Sequence, residues 1–240
     1  MTLPDLFRFV PSALLAGAAL VALPAKTATV IASAGPNASR HPVGSRVADT
    51  ASLSLEANDS VTVLDARGTR VLRGPGTFPV SQPSGGNRTS VYAALVSNRA
   101  TQRVRTGSVR NAPDGRPARS PNLWYVDISR PGTYCMTDPA AVRFWRGAAG
   151  EALTIEAAAA GGTQSIAFGA MDTVAPITGQ IMPDAAYALR GKDGQTLGTV
   201  RFVRLENQPA TMEDMAAALI AHDCTEQLAT LDSAIRLPDN

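Results

Sequence analysis

Histidine, cysteine and lysine each occur only twice in this chain of 240 residues. His41, His222, Cys135 and Cys224 supply too few ligands, too far apart, for a tetrahedral Cys/His metal site. Carboxylate-rich calcium loops are missing. So are a phosphate-cradling glycine loop with Lys and Ser/Thr, Gly-x-Gly-x-x-Gly, His-Glu-x-x-His and Gly-x-Ser-x-Gly. No cofactor, no metal and no catalytic residue is expected from motifs. Hydrolytic chemistry without a motif stays open in two forms. A Ser/His/Asp group is defined in space, although His222 falls in an amphipathic C-terminal stretch where a solvated imidazole is the ordinary outcome. The fourteen acidic residues from Asn122 onward contain enough carboxylates for a glycosidase-type pair, but nothing in their spacing selects two.

Aromatic residues make up 5% of the chain against 45% hydrophobic residues, so the cores are expected to be built from Val, Leu, Ile and Ala. Trp124, Tyr125, Phe144 and Trp145 are expected to pack between sheets, with the lining of a binding cleft as the alternative. Long apolar runs are missing as well. The first 25 residues hold the one candidate, Ala13 to Leu23, which is shorter than the ~20 residues a membrane span needs and is bracketed by Pro11 and Pro24. With Arg8 before it and Leu23-Pro24-Ala25 after it, the stretch reads as an export signal over residues 1–25, cleaved after Ala25. The alternative is an uncleaved N-terminal anchor. Either way the expected location is the periplasm or the cell exterior.

Net charge is +2 but unevenly placed. Between Ser81 and Pro121 seven arginines, Arg99, Arg103, Arg105 and Arg110 among them, stand against Asp114 alone, a balance of +6. From Asn122 to Asn240 eight basic residues face fourteen acidic ones, a balance of −6. Pro, Gly and Ser concentrate at both ends of the basic stretch, which reads as a connector over 81–121 with a short helix at Val91 to Val96, started by Thr89 or Ser90. Arg99, Arg103, Arg105 and Arg110 are the candidate contacts to an anionic surface, a polymer or a membrane. No interleaved aromatics offer base stacking, so nucleic acid is not an expected partner.

Three short strands are expected on the N-terminal side of this connector: Ser52 to Glu56, Ser60 to Asp65 and Thr69 to Arg73. Gly68 permits a tight turn between the last two, and Gly74-Pro75-Gly76 ends the third, so they read as a meander. Val43-Gly44, the Leu53 to Glu56 strand, Ala57-Asn58-Asp59-Ser60, Val61 to Asp65, Arg67-Gly68 and Gly74-Pro75 resemble a FecR-type periplasmic domain. That pattern is a glycine, a strand, a Gly-Asp turn, a strand, an Asp-Gly turn and a strand. Asn58 stands where the family prefers glycine, and Arg67-Gly68 replaces Asp-Gly. The resemblance covers residues 29–80 and implies a non-enzymatic binding or signal-relaying module of the envelope.

After Asn122, strand candidates recur every 8 to 12 residues or so, the spacing of a sandwich or barrel, with Gly191-Lys-Asp-Gly194 as a hairpin turn. Thr211 and Asp214 have capping-box spacing, and Met212, Met215, Leu219, Cys224, Leu228, Leu231 and Ile235 share one helical face, with a restart near Asp223 to Glu226. The expected fold is mainly β: a meander lobe, the basic connector, and a β-sandwich-like lobe over 122–240 finished by a C-terminal helix. Two cysteines behind an export signal predict a Cys135–Cys224 disulfide pinning helix to sheet. The functional expectation is a non-catalytic exported envelope protein with a binding, signal-relaying or structural role. The alternative is a hydrolase of an envelope polymer working between the lobes.

Overall fold

The computed structural model describes residues 27–65, 67–81, 89–97 and 119–235. Strands account for 42% and helices for 18%, so the chain is mainly β. The N-terminal part is an antiparallel sheet of order β2-β1-β4-β5, built from β1 Thr27–Ala34, β2 Arg46–Ala48, β4 Ser60–Asp65 and β5 Gly68–Arg73. β3 Ser52–Leu55 and β6 Gly76–Pro79 form a separate two-stranded ribbon. Strands therefore stand over all three stretches of the expected meander, yet only β4 and β5 pair consecutively. Both edges of β4 are taken, by β1 and β5, so β3 is left to pair with β6. Its Leu53 and Leu55 share a core with Val61, Val63, Ala28 and Val30.

β4 is buried at nearly every position, because Val61 and Val63 belong to that core while Leu64 belongs to a second one on the other face. A strand covered on both faces loses the alternation that marks a half-exposed one. β1 behaves likewise: Val30 serves the first core and Ile31 the second, across a register shift between Val30 and Ala32. Neither β1 nor β2 was among the expected strands.

The C-terminal part holds a five-stranded sheet of order β11-β10-β13-β14-β8 and a three-stranded sheet of order β12-β9-β7. Their strands are β7 Tyr125–Asp127, β8 Gly132–Met136, β9 Arg143–Trp145, β10 Leu153–Ala159, β11 Gly162–Phe168, β12 Val174–Pro176, β13 Ala186–Arg190 and β14 Thr196–Arg204. Most neighbours are antiparallel, but β8 runs parallel to β14 and β7 parallel to β9. Inward side chains of both sheets make one sandwich core around Phe144, Ile155, Ile166, Phe168, Tyr187, Leu189, Val200 and Phe202. A lone bridge between Ile166 and Ile177 joins the sheets on the β11–β12 side. The expected turn at Gly191–Gly194 links β13 to β14, closed by Gly191 N–H donating to Gln195 O at 2.9 Å, with Gly194 at φ 71.

Among the described residues three α-helices lie between the two β parts: α1 Thr89–Val96, α2 Met212–Ala221 and α3 Thr225–Ile235. The expected capping residue starts α2, Thr211 Oγ1 accepting from Asp214 N–H at 3.1 Å. The restart after it is a left-handed stop. Asp223 takes φ 56, its N–H reaches Ile220 O, and Cys224 N–H reaches Leu219 O, the paired bonds of a Schellman ending. Apolar residues of all three helices join Ile31 and Leu64 on one side and Cys135 and Leu205 on the other in a single core. The helices thus pack on both β parts, and do not merely finish the second one.

Candidate functional site

α3 is fastened to β8 at one residue by two devices. Cys135 and Cys224 form a disulfide with Cα atoms 5.8 Å apart, as the sequence predicts and within the span a disulfide bridges. Three residues further along α3, the Gln227 side chain is 2% exposed and grips the backbone of the same strand residue. Its Oε1 accepts from Cys135 N–H at 2.6 Å, and its Nε2 donates to Cys135 O at 2.9 Å and to Leu123 O at 2.8 Å. β8 is the last strand of its sheet, so these are the groups a further strand would bond. A buried edge donor or acceptor costs about 1–3 kcal/mol when unmade, and one amide side chain satisfies both here.

Around this clasp lies a network of charged and hydroxyl groups. Asp127, buried at the end of β7, accepts from Ser129 N–H at 2.9 Å and Ser129 Oγ at 2.6 Å and pairs with Arg130 Nε at 3.3 Å. Tyr134 Oη accepts from Asp127 N–H at 3.2 Å and donates to Arg130 O at 2.9 Å, stitching the 127–130 turn to β8. Burial, the largest influence, pushes the Tyr134 phenol well above its ordinary value. Glu226, beside Gln227 on α3, pairs with Arg119 at 2.9 Å and with Arg130 at 3.7 Å. The hydroxyl and the amide of Ser129 meet the same Asp127 carboxylate oxygen, which closes the turn.

The C-terminal end of α1 is closed by the segment 122–124. Leu123 N–H donates to Leu95 O at 3.1 Å, Trp124 Nε1 to Val96 O at 2.9 Å and Asn122 Nδ2 to Ser97 O at 3.0 Å. Those are carbonyls a helix end leaves without intrahelical partners. Arg99, Arg103, Arg105 and Arg110 lie outside the described residues, as do residues 1–26. What the structure adds is where the flanks of the arginine-rich segment sit. Ser97 and Asn122 are hydrogen-bonded to each other, and Arg119 is paired to α3.

The four clustered aromatics separate instead of lining one cleft. Trp124 joins the helical core, Phe144 joins the sandwich core, and Tyr125 and Trp145 are buried outside both. Trp124 does border a small notch with Met136, Thr137, Asp138, Ala141 and Val142, whose cavity volume of about 10 Å³ is that of one water molecule. His222 is exposed at the end of α2. Among the described residues no group of three His, Cys, Asp or Glu side chains is placed to hold a metal ion, and no helix is long and apolar enough to cross a membrane. Compared with known proteins, the chain matches no family model, no curated protein and no solved structure.

Two buried polar residues hold loops in place: Asp59 of the expected first turn, and Arg146, which sequence reasoning passed over. Asp59 accepts from Asn37 N–H at 3.0 Å and Glu56 N–H at 2.9 Å, and these backbone bonds hold its carboxyl below the ordinary carboxylate value. Arg146 donates to four backbone carbonyls, those of Gly150, Glu151, Gly169 and Asp172. A polar residue inside an otherwise apolar strand end, such as Arg146 after Val142-Arg-Phe-Trp145, is the signal that marks such a tie.

Proposed function

We propose that the protein is a non-catalytic envelope component, exported behind residues 1–25, that contacts an anionic surface of the envelope through Arg99, Arg103, Arg105 and Arg110. The observation that carries this reading is the anchoring of both flanks of the arginine-rich segment on the helical layer. With Ser97 O bonded to Asn122 Nδ2 at 3.0 Å, the segment between them is an excursion from one point of a fixed platform and need not span a gap between lobes. Between Ser97 and Asn122 six arginines stand against Asp114 alone, and with Arg119 paired to Glu226 the other five act through charge. The buried disulfide supports an oxidising compartment, where such bonds persist. In the N-terminal β part, Gly44 at φ 89, Asn58 at φ 70 and Gly68 at φ 133 take left-handed backbone, the conformation that favours glycine at turns.

The test is cosedimentation of the full mature chain with phosphatidylglycerol vesicles and with phosphatidylcholine vesicles, at low and at physiological salt. Binding to the anionic vesicles only, weakened strongly by salt and lost in a variant with Arg99, Arg103, Arg105 and Arg110 all replaced by Ala, is expected. Equal binding by the variant, or no binding at low salt, would overturn the reading.

A further inference from the structure

Cys135 is held twice, and the two restraints differ in kind. The disulfide is covalent and depends on oxidation, whereas the Gln227 bonds to Cys135 N–H and Cys135 O need no oxidant. Cys224 and Gln227 are three residues apart, one just before α3 and the other in its first turn, so an α3 docked through Gln227 also carries Cys224 to Cys135. Docking is reinforced from outside by the Leu123 O bond and within the helical core by Leu228 and Leu231. Both cysteines are at most 2% exposed, so exchange with an oxidant proceeds through transient local opening of α3 from β8.

We propose that Gln227 is a positioning residue for the disulfide: its amide sets the register of α3 against β8, so that oxidation locks an arrangement the reduced chain already adopts. The exchange balances with any disulfide oxidant. The thiolate of one cysteine attacks the oxidant's S–S bond and releases a thiol; the second cysteine then attacks the mixed disulfide, forming Cys135–Cys224 and releasing a second thiol. Two electrons pass to the oxidant, and the two cysteine protons end on the two thiols released. The thiol pair therefore has a high effective concentration in the folded, reduced protein, and Gln227 is the source of much of it.

The experiment equilibrates the full chain in glutathione redox buffers and measures the oxidised fraction by alkylation and mass spectrometry. Gln227→Met, which keeps the length and removes all three hydrogen bonds, is expected to lower the effective concentration at least about tenfold. Arg146→Met, destabilising but remote from the clasp, is expected to leave it unchanged. An unchanged value in Gln227→Met, or an equal fall in Arg146→Met, would assign Gln227 to stability alone and end the proposal. Should Gln227→Met fail to fold, amide hydrogen exchange in the reduced wild-type chain decides. A protected Cys135 N–H is expected, and exchange there at the rate of an unstructured amide overturns the idea.

Discussion

The guanidinium carbon of Arg146 lies 5.2 Å from the centroid of the Phe168 ring, with its N–H groups turned to carbonyls of the two flanking loops. Arg146 is 8% exposed, so its charge rests on oriented carbonyl dipoles and an aromatic face. Replacing it with Met leaves four carbonyls short of a donor and is expected to cost about 2–4 kcal/mol in urea unfolding. Lys cannot reproduce a planar fork reaching Asp172 O, Glu151 O and Gly169 O together, so Arg146→Lys should recover less than half of that loss. Wild-type stability in either variant would contradict this account.

Asp59 gives the N-terminal sheet a specific acid sensitivity. Its native pKa lies below the ordinary 3.8, chiefly through the Asn37 and Glu56 backbone N–H groups. For a carboxyl depressed by folding, the stabilisation is present above the unfolded value and is lost as pH falls through the native one. The melting-temperature gap between wild type and Asp59→Ala should hold constant from about pH 5 upward and narrow progressively below 3.8. A gap that is independent of pH down to acid unfolding would show that the loop is held by shape alone.

Three tyrosines should ionise late. Burial first, and then the charges of Asp214 and Glu213, push Tyr92 up to about 12, while burial raises Tyr125 and Tyr134 as well. A phenol raised by folding stabilises the native state below its unfolded pKa near 10, and that contribution is lost as pH climbs through the native value. Phenolate absorbance of the folded protein should therefore lag behind that of the chain in denaturant, and melting temperature should fall between pH 10 and about 12. Tyr92→Phe should remove one late-titrating group from the absorbance curve. Superimposable native and denatured curves would argue against burial of these rings.

The strands and helices were mostly legible because their signals are local. Capping at Thr211, the break at Asp223 and the turn at Gly191–Gly194 follow from a few neighbouring residues each. Pairing was not legible to the same degree, since whether β3 lies beside β4 or opposite it depends on β1 having taken the other edge of β4. β1 itself was hidden by its own register shift, whereas β4 was legible from its β-branched run although it is buried on both faces. The disulfide could be predicted because only two cysteines exist. Gln227 could not, because a glutamine among Thr225-Glu-Gln-Leu228 looks like solvent-facing helix until β8 is laid against it.

The hydrogen bond between Asn122 and Ser97 also bears on how this chain can change over generations. Its two partners hold the ends of the intervening sequence side by side, and lengthening a connection between fixed ends costs only about 0.6 kcal/mol per doubling. Insertions, deletions and altered charge can therefore accumulate there without moving α1, β7 or the disulfide. The fold holds still while that one segment is free to drift toward whatever surface its host presents.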